Sequence, residues 1–319
     1  MIMKSSKIKK TVKAVEPYTF GADKSFKCQP YEAWRQIGGK VAKSHYPPRF
    51  LHGVVYKADF PTFVESKTEA RLRFVEPVAL TFDAFPDYLL YEIIPVVWDC
   101  WPQYFDRTVE WLKRHNVRAA VFTSSQTAEK IHEQLPELNL LSITEGIDVS
   151  AYLQGDSLCS RTIDLLEYGS IKRNFFIRLV DGIKHMNRSN AKGSMDTFAK
   201  LKATISNAKV TVALPRCDTD PVATGGIETL TQRFWECMLS RTVMLGRAPK
   251  ELVDLIGYNP VVDLDRQRPD EQVRNIVSHI SDFQELVDKN RLTALRLAPW
   301  EIRMKNVMDW LEGLGYSRN

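Results

Sequence analysis

From about residue 90 onward, apolar and polar positions fall in blocks that read as strand, helix, strand. "EIIPVVWD" (92–99) is a short apolar run rich in β-branched residues, as a buried strand should be. In "WPQYFDRTVEWLKRHNV" (101–117), Tyr104, Val109 and Leu112 fall at helical spacing, and "RAAVFTSS" (118–125) is the next apolar run. Strand, helix, strand of this length predicts a parallel crossover unit. A second series repeats the pattern. "TIDLLEYG" (162–169) predicts a strand ending in glycine, "NFFIRLVDGIKHM" (174–186) an amphipathic helix, and "KVTVALPR" (209–216) a strand broken at Pro215. "RTVMLG" (241–246), "PKELVDLIG" (249–257) and "PVVDLD" (260–265) again read strand, helix, strand. The tail, 270–290 and 298–316, reads as two helices, the last with Trp300, Val307, Trp310 and Leu311 on a core-facing stripe. The first ninety residues carry weaker signals: a helix over Tyr31–Ala42 and strands in "RFLHGVVYKA" (49–58) and "RLRFVEPVALTF" (71–82).

The two series meet between residues 140 and 160. This predicts an α/β protein of two parallel-sheet domains, 1–150 and 151–319, the second carrying the terminal helices. At 319 residues, with 44% hydrophobic and 26% charged positions, the composition is that of an ordinary soluble globular chain. The formal charge of +5 is modest, although Lys4, Lys7, Lys9, Lys10 and Lys13 crowd the start. Such an arm is expected to be solvated, with peripheral contact to an anionic membrane as its functional use; nucleic-acid binding has only this charge in its favour. No apolar core follows the arm, so no secretory signal is expected, and no stretch approaches the ~20 apolar residues of a membrane span. Cys28, Cys100, Cys159, Cys217 and Cys237 are odd in number and scattered, which fits a reducing cytoplasm and neither a disulfide framework nor a zinc site.

Tandem parallel α/β domains take ligands beyond the carboxyl ends of their strands, so a cleft between them is the expected site. Two loops there carry cations. In "EYGSIKRN" (167–174), Gly169 turns and Lys172 and Arg173 follow; in "LPRCDTDPVATGGIE" (214–228), Arg216 follows a strand and the loop closes at Gly225 and Gly226. Glycine-exposed N–H groups beside cations suit a diphosphate. There is no G-x-G-x-x-G after a first strand, no Walker loop, no H-E-x-x-H and no G-x-S-x-G, which removes the usual signatures of dinucleotide, P-loop, zinc-protease and α/β-hydrolase chemistry. "ETLTQRFWECMLSRTVMLG" (228–246) places Glu228 at the mouth of a helix read over Thr229–Ser240, with Glu236 two turns along. Carboxylates there can accept from sugar hydroxyls or a vicinal diol. Their spacing alone is common on helices.

Order and context add to this. "ITEGIDVSAY", "LLEYG", "VTVALP" and then Glu228 with "WECMLSRTVMLG" resemble the second half of retaining GT-B glycosyltransferases, whose interdomain segment is matched by Thr144–Asp148 and whose two-glutamate motif is matched by Glu228 and Trp235–Met238. "AAVFTSSQTAEKI" resembles the end of that family's first domain, and Trp300 a frequent tryptophan in its last helix. The resemblance implies two Rossmann-like domains facing a cleft with the C-terminal helix crossing back, the acceptor held by the first and a sugar nucleotide by the second. Glu228 would contact the donor sugar and Glu236 the ribose. Gly169, Lys172, Arg173, Arg216, Gly225, Gly226, Ile227, Thr229 and Leu230 would line the donor site, and Asp99 the reacting centre. No metal is expected, because cationic side chains would neutralise the leaving diphosphate. Where the family has Gly-Arg and His-Asp, this chain has Gly169-Ser170 and Trp98-Asp99. The expectation is therefore a cytoplasmic or inner-membrane-face retaining hexosyltransferase of cell-surface polysaccharide synthesis, acting on a glycan or lipid-linked acceptor. The alternatives are a catalytically impaired sugar-nucleotide-binding protein of the same fold, or a nucleotide-sugar epimerase.

Overall fold

A computed structural model describes residues 10–18, 26–57, 59–62, 68–170, 174–176, 178–190 and 198–317. The chain divides into two compact units, Met1–Ile143 with Trp300–Asn319, and Thr144–Pro299.

In the first unit, β1 (Lys10–Val15), β3 (Glu69–Val75), β4 (Glu92–Val97), β5 (Ala119–Phe122) and β6 (Asn139–Ser142) form a parallel sheet. β2 (Val41–Ala42) and β12 (Tyr316–Ser317) also pair with β1, giving the order β12-β1-β3-β4-β5-β6 with β2 off the path. All six residues of β4 are buried, so the strand reads as a continuous apolar run rather than an alternating one. Helices α1 (Cys28–Gln36), α2 (His52–Lys57), α3 (Leu80–Ala84), α4 (Asp87–Leu90), α5 (Phe105–Arg114) and α6 (Ser125–Gln134) connect the strands. The terminal helix α14 (Trp300–Gly313) returns to this unit and buries Trp300, Met304, Val307 and Leu311 against Trp34, Leu72 and Ile94.

Three early expectations are corrected. Lys10 and Lys13 belong to β1, not to a solvated arm: Val12 and Ala14 alternate into the core, Lys10 pairs with Glu92, and Lys13 with Glu69 at 2.6 Å. Lys4, Lys7 and Lys9 lie outside the described residues. The helix read over Tyr31–Ala42 ends at Gln36, because Gly38 turns at φ 86° and any Cβ on Gly39 would stand 2.2 Å from the Trp34 ring. Residues 49–57 form a 3₁₀ turn and α2 instead of a strand, with Phe50 and Val54 pointing outward; a short apolar run does not distinguish the two.

In the second unit, β7 (Ile163–Ser170), β8 (His185–Asn190), β9 (Ala208–Ala213), β10 (Val243–Gly246) and β11 (Val261–Asp263) form a parallel sheet ordered β11-β10-β9-β7-β8. Its helices are α7 (Phe198–Ser206), α8 (Arg216–Thr219), α9 (Pro221–Thr224), α10 (Gln232–Leu239), α11 (Lys250–Ile256), α12 (Pro269–Ser278) and α13 (Gln284–Leu297). The tail stretch 270–290 is thus split between α12 and α13 by a 3₁₀ turn at Ile280–Phe283. The helix expected over 174–186 is absent among the described residues: the segment is irregular and runs into β8. The buried Glu167 carboxylate accepts the N–H groups of Phe175 and Phe176 at 2.8 and 3.3 Å, while Phe176 and Val180 sink into the core, so apolar spacing mimics a helix whose backbone bonds are made elsewhere. The chain starts at β7, steps to β8 on one side, then returns to β9 on the other. This reversal makes the carboxyl ends of β7 and β9 the place where open parallel sheets take ligands.

Candidate functional site

At the end of β7, Gly169 takes φ 102° and Tyr168 turns its ring into the core. Arg233, the second residue of α10, donates from Nη2 to the Tyr168 carbonyl at 2.7 Å and lies over the Tyr168 ring, 4.6 Å from its centroid. A Cβ at position 169 would stand 2.4 Å from that nitrogen, so glycine admits the guanidinium against the strand end. Ser170 closes the strand; Lys172 and Arg173, the cations expected here, lie outside the described residues.

Beyond β9 and β10 a second group assembles. Arg216 opens α8 and pairs with Asp220 at 3.7 Å. Arg247, directly after β10, donates to Asp218 at 2.7 Å and to Glu228 at 2.5 Å, with Cys217 Sγ 3.5 Å away and Arg266 reaching Asp218 at 3.6 Å. The Arg247 hydrogen bond holds the Asp218 carboxyl below the usual range against burial that raises it, and in return Arg247 is held more firmly protonated. Glu228 also accepts the Lys250 N–H at 2.5 Å. Because α10 begins at Gln232 and not at Thr229, Glu228 stands in the loop after Gly225 and Gly226, both in the left-handed region at φ 55° and 79°. Ile227 and Leu230 are buried, Leu230 donating to Glu251 at 2.8 Å, and Thr229 is half-buried.

Glu236, expected to hold a ribose, is bonded within the protein. It is 7% exposed, accepting from Tyr152 Oη at 3.0 Å and Tyr168 Oη at 2.8 Å. Burial, and after it neighbouring negative charge including that of Glu236, pushes both phenols up, so each keeps its proton to donate. The same tyrosine thus carries Arg233 on its ring and carbonyl and Glu236 on its hydroxyl. Behind it, the Glu167 and His185 side chains face each other at 3.2 Å and His185 Nδ1 accepts from Val180 N at 3.2 Å, tying Val180 to the start of β8.

In the first unit, Asp99 follows β4, exposed and in the left-handed region at φ 46°; Trp98 beside it is buried among Phe26, Phe74 and Trp300. Among the described residues no three His, Cys, Asp or Glu side chains gather as a metal site requires, and no helix is long and apolar enough to cross a membrane.

Sequence reasoning missed Arg233, Arg247, Asp218 and the two tyrosines. Arg247 was within reach, because it follows a predicted strand as Arg216 does. Arg233 and the tyrosines meet only through the fold.

Two all-parallel units with the last helix returned to the first define an α/β protein of the GT-B fold. No protein-family model and no curated protein matches the chain. Among solved structures it is similar to a sucrose-phosphate synthase from Thermosynechococcus elongatus, with a TM-score of 0.58 and 11% identity over 96% of this chain and 99% of that one. It is also similar to the Anabaena protein HepE in complex with UDP-glucose, with a TM-score of 0.57 and 10% identity over 95% and 99%. A glycosyltransferase involved in avilamycin A biosynthesis gives a TM-score of 0.51 and 11% identity over 96% and 98%. At these identities the likeness is one of fold.

Proposed function

We propose that the chain is a glycosyltransferase that moves a sugar from a nucleoside-diphosphate donor to a glycan or lipid-linked acceptor, with retention of anomeric configuration. The observation that carries this reading is the set of arginines at the carboxyl ends of β7, β9 and β10, at the point where the second sheet reverses strand order. A polyanion leaving group needs such a place. The fold supports the donor class, since the Anabaena protein that shares it was crystallised with UDP-glucose. In this reading Glu228 faces the donor sugar from the glycine loop, Arg216 and Arg247 hold the phosphate side, and Asp99 serves the acceptor from the first unit. The bond from C1 to the diphosphate oxygen breaks as C1 bonds to the acceptor oxygen on the same face, and a departing phosphate oxygen takes the acceptor proton. The charge of the diphosphate is met by guanidinium groups, so the reading assigns no metal. Synthesis of cell-surface polysaccharide at the inner membrane face is the setting that suits such an acceptor.

A second reading, a sugar-nucleotide-binding protein with impaired catalysis, is favoured by one observation: the carboxylates of Glu228 and Glu236 both bond protein donors. A thermal-shift screen of UDP-, GDP-, ADP- and dTDP-sugars, followed by transfer and hydrolysis assays on whichever stabilises the protein, separates the two. Stabilisation with turnover supports the enzyme, stabilisation without it supports the binding protein, and no stabilisation by any of them refutes both.

A further inference from the structure

We infer that the 3₁₀ turn Arg49–Leu51 and α2 form a docking surface for an anionic phospholipid bilayer, with Phe50, Leu51 and Val54 entering the headgroup layer and lysines meeting the lipid phosphates. The inference concerns attachment of the first unit and holds whether or not a sugar nucleotide binds. The turn runs directly into the helix, so residues 49–57 follow one helical course. One face of it is committed to the protein: Val55 is buried, and the His52 ring packs edge-on against Phe82 at 5.1 Å while its Nε2 lies 3.0 Å from the Pro47 carbonyl. The opposite face of a surface helix is ordinarily polar; here it is apolar. Phe50, Leu51 and Val54 fall at i, i+1 and i+4 and are 81%, 37% and 57% exposed, and Lys57 closes the same face at i+7. Exposed apolar residues scattered singly need no explanation, whereas three on one face mark a surface that something covers.

Charge selects the partner. From Ile37 to Ala58 the chain carries Lys40, Lys43, Arg49 and Lys57 and no Asp or Glu. Lys40, Lys43 and Lys57 are exposed and form no ion pair among the described residues. The first acid beyond them, Asp59, is taken by Arg114 at 2.5 Å and by His115 at 2.7 Å. An apolar face edged by unneutralised lysines matches a bilayer whose surface is negative and whose interior takes apolar side chains. A lysine at the border keeps its ammonium among the phosphates while its stem follows the apolar side chains inward. The face is presented ready-made: the Leu51 N–H donates to the Pro48 carbonyl at 2.8 Å, and the fixed rings of Pro47 and Pro48 lead into the turn. Lys10 and Lys13, the described members of the basic start of the chain, are paired with Glu92 and Glu69, so the membrane contact expected of that arm falls to this surface.

The test is co-sedimentation of the full chain, without nucleotide, with sucrose-loaded vesicles of phosphatidylcholine alone or of equal parts phosphatidylcholine and phosphatidylglycerol. The wild type should bind the anionic vesicles and not the neutral ones, and should be released as salt rises. Phe50→Ser with Val54→Ser should weaken binding about 10- to 100-fold, and Lys43→Gln with Lys57→Gln about 10- to 30-fold. All four side chains are exposed, so each double variant should keep the wild-type melting temperature, which guards against a folding artefact. Phe50→Trp should be quenched by brominated lipid beyond the level of the wild type. Absence of wild-type binding to anionic vesicles overturns the inference, as does equal binding by Phe50→Ser with Val54→Ser. If those two substitutions instead abolish a concentration-dependent dimer and leave vesicle binding unchanged, the face is an interface between copies of the chain and the membrane assignment falls. The sugar-nucleotide reading is untouched by each of these outcomes.

Discussion

Replacing Glu236 by alanine removes the acceptor of two buried phenols at once. Tyr152 and Tyr168 are 5% and 6% exposed and donate to the two carboxylate oxygens at 3.0 and 2.8 Å. A hydrogen bond to a charged group contributes about 1.5–3 kcal/mol, and leaving a buried donor unsatisfied costs about 1–3 kcal/mol. These terms overlap and do not add in full, so Glu236→Ala should destabilise the second unit by roughly 3–5 kcal/mol. Unfolding in urea, followed by tryptophan fluorescence, reads this directly, and the melting temperature should fall by about 6–15 °C for a unit of this size. Glu236→Gln keeps an acceptor for one phenol and should recover most of the loss. The triple change Glu236→Leu with Tyr152→Phe and Tyr168→Phe should be milder than Glu236→Ala, because it leaves no polar atom stranded. The alkaline limb gives a second readout. Both phenols have folded pKa values raised above the ordinary 10.0 by burial and nearby negative charge, so their protonated form contributes stability that is complete below pH 10 and is lost as pH rises toward the folded values. The wild type should therefore lose stability above pH 10 more steeply than the Tyr152→Phe, Tyr168→Phe variant. A change below ~1 kcal/mol for Glu236→Ala would refute the reasoning, and would mean that the carboxylate is not committed to the tyrosines.

Other outcomes follow from the same structure. Val12→Asp puts a carboxylate on the core side of β1, where Val12 is 2% exposed, and should cost upwards of about 3 kcal/mol or abolish folding of the first unit; a solvated basic arm would tolerate it. Arg247→Ala should destabilise by no more than ~1 kcal/mol at pH 7, since the arginine side chain is 42% exposed. That difference should shrink in acid: the depressed Asp218 pKa confers stability present above the ordinary 3.8 that is lost as pH falls through the lower folded value, so urea titrations carried down from pH 7 should show the two proteins converging. If guanidinium groups neutralise the diphosphate, donor binding should survive EDTA, and a tenfold loss in calorimetry would refute that assignment.

How much was legible depends on where a contact is made along the chain. β4, β5, β7, β9 and β10 are apolar runs buried on the sheet, and their composition alone announces them. The segment 174–186 has the same apolar content, but the Glu167 carboxylate takes its first N–H groups, an arrangement that no local pattern records. β1 was hidden for the opposite reason: its lysines look like a solvated arm until the acidic partners on β3 and β4 are known. The site follows the same rule. Glycine turns and the two glutamates stand in the sequence, whereas Tyr168 and Arg233 are 65 residues apart and Tyr152 and Glu236 are 84 apart. What each carboxylate does is decided by partners supplied at that distance.

The two glutamates make the point sharply enough to test. Both lie eight positions apart in one motif, and both accept bonds from the protein. Their partners differ in what they leave open. Glu228 shares Arg247, whose side chain is 42% exposed on the carboxyl edge of the sheet, so a sugar hydroxyl arriving there can join an ion pair already in contact with water. Glu236 is enclosed by two buried phenols, and a ribose reaching it would have to displace a hydroxyl into apolar surroundings. The variants should therefore cross over. Glu228→Gln should retain the melting temperature within a few degrees and nucleotide affinity within about threefold, and lose turnover; Glu236→Ala should lose stability first. Affinity for UDP against its 2′-deoxy counterpart completes the comparison. If Glu236 holds the ribose, deoxygenation should weaken wild-type binding about 10-fold and have no effect on Glu236→Ala; if it anchors the tyrosines, both proteins should discriminate equally.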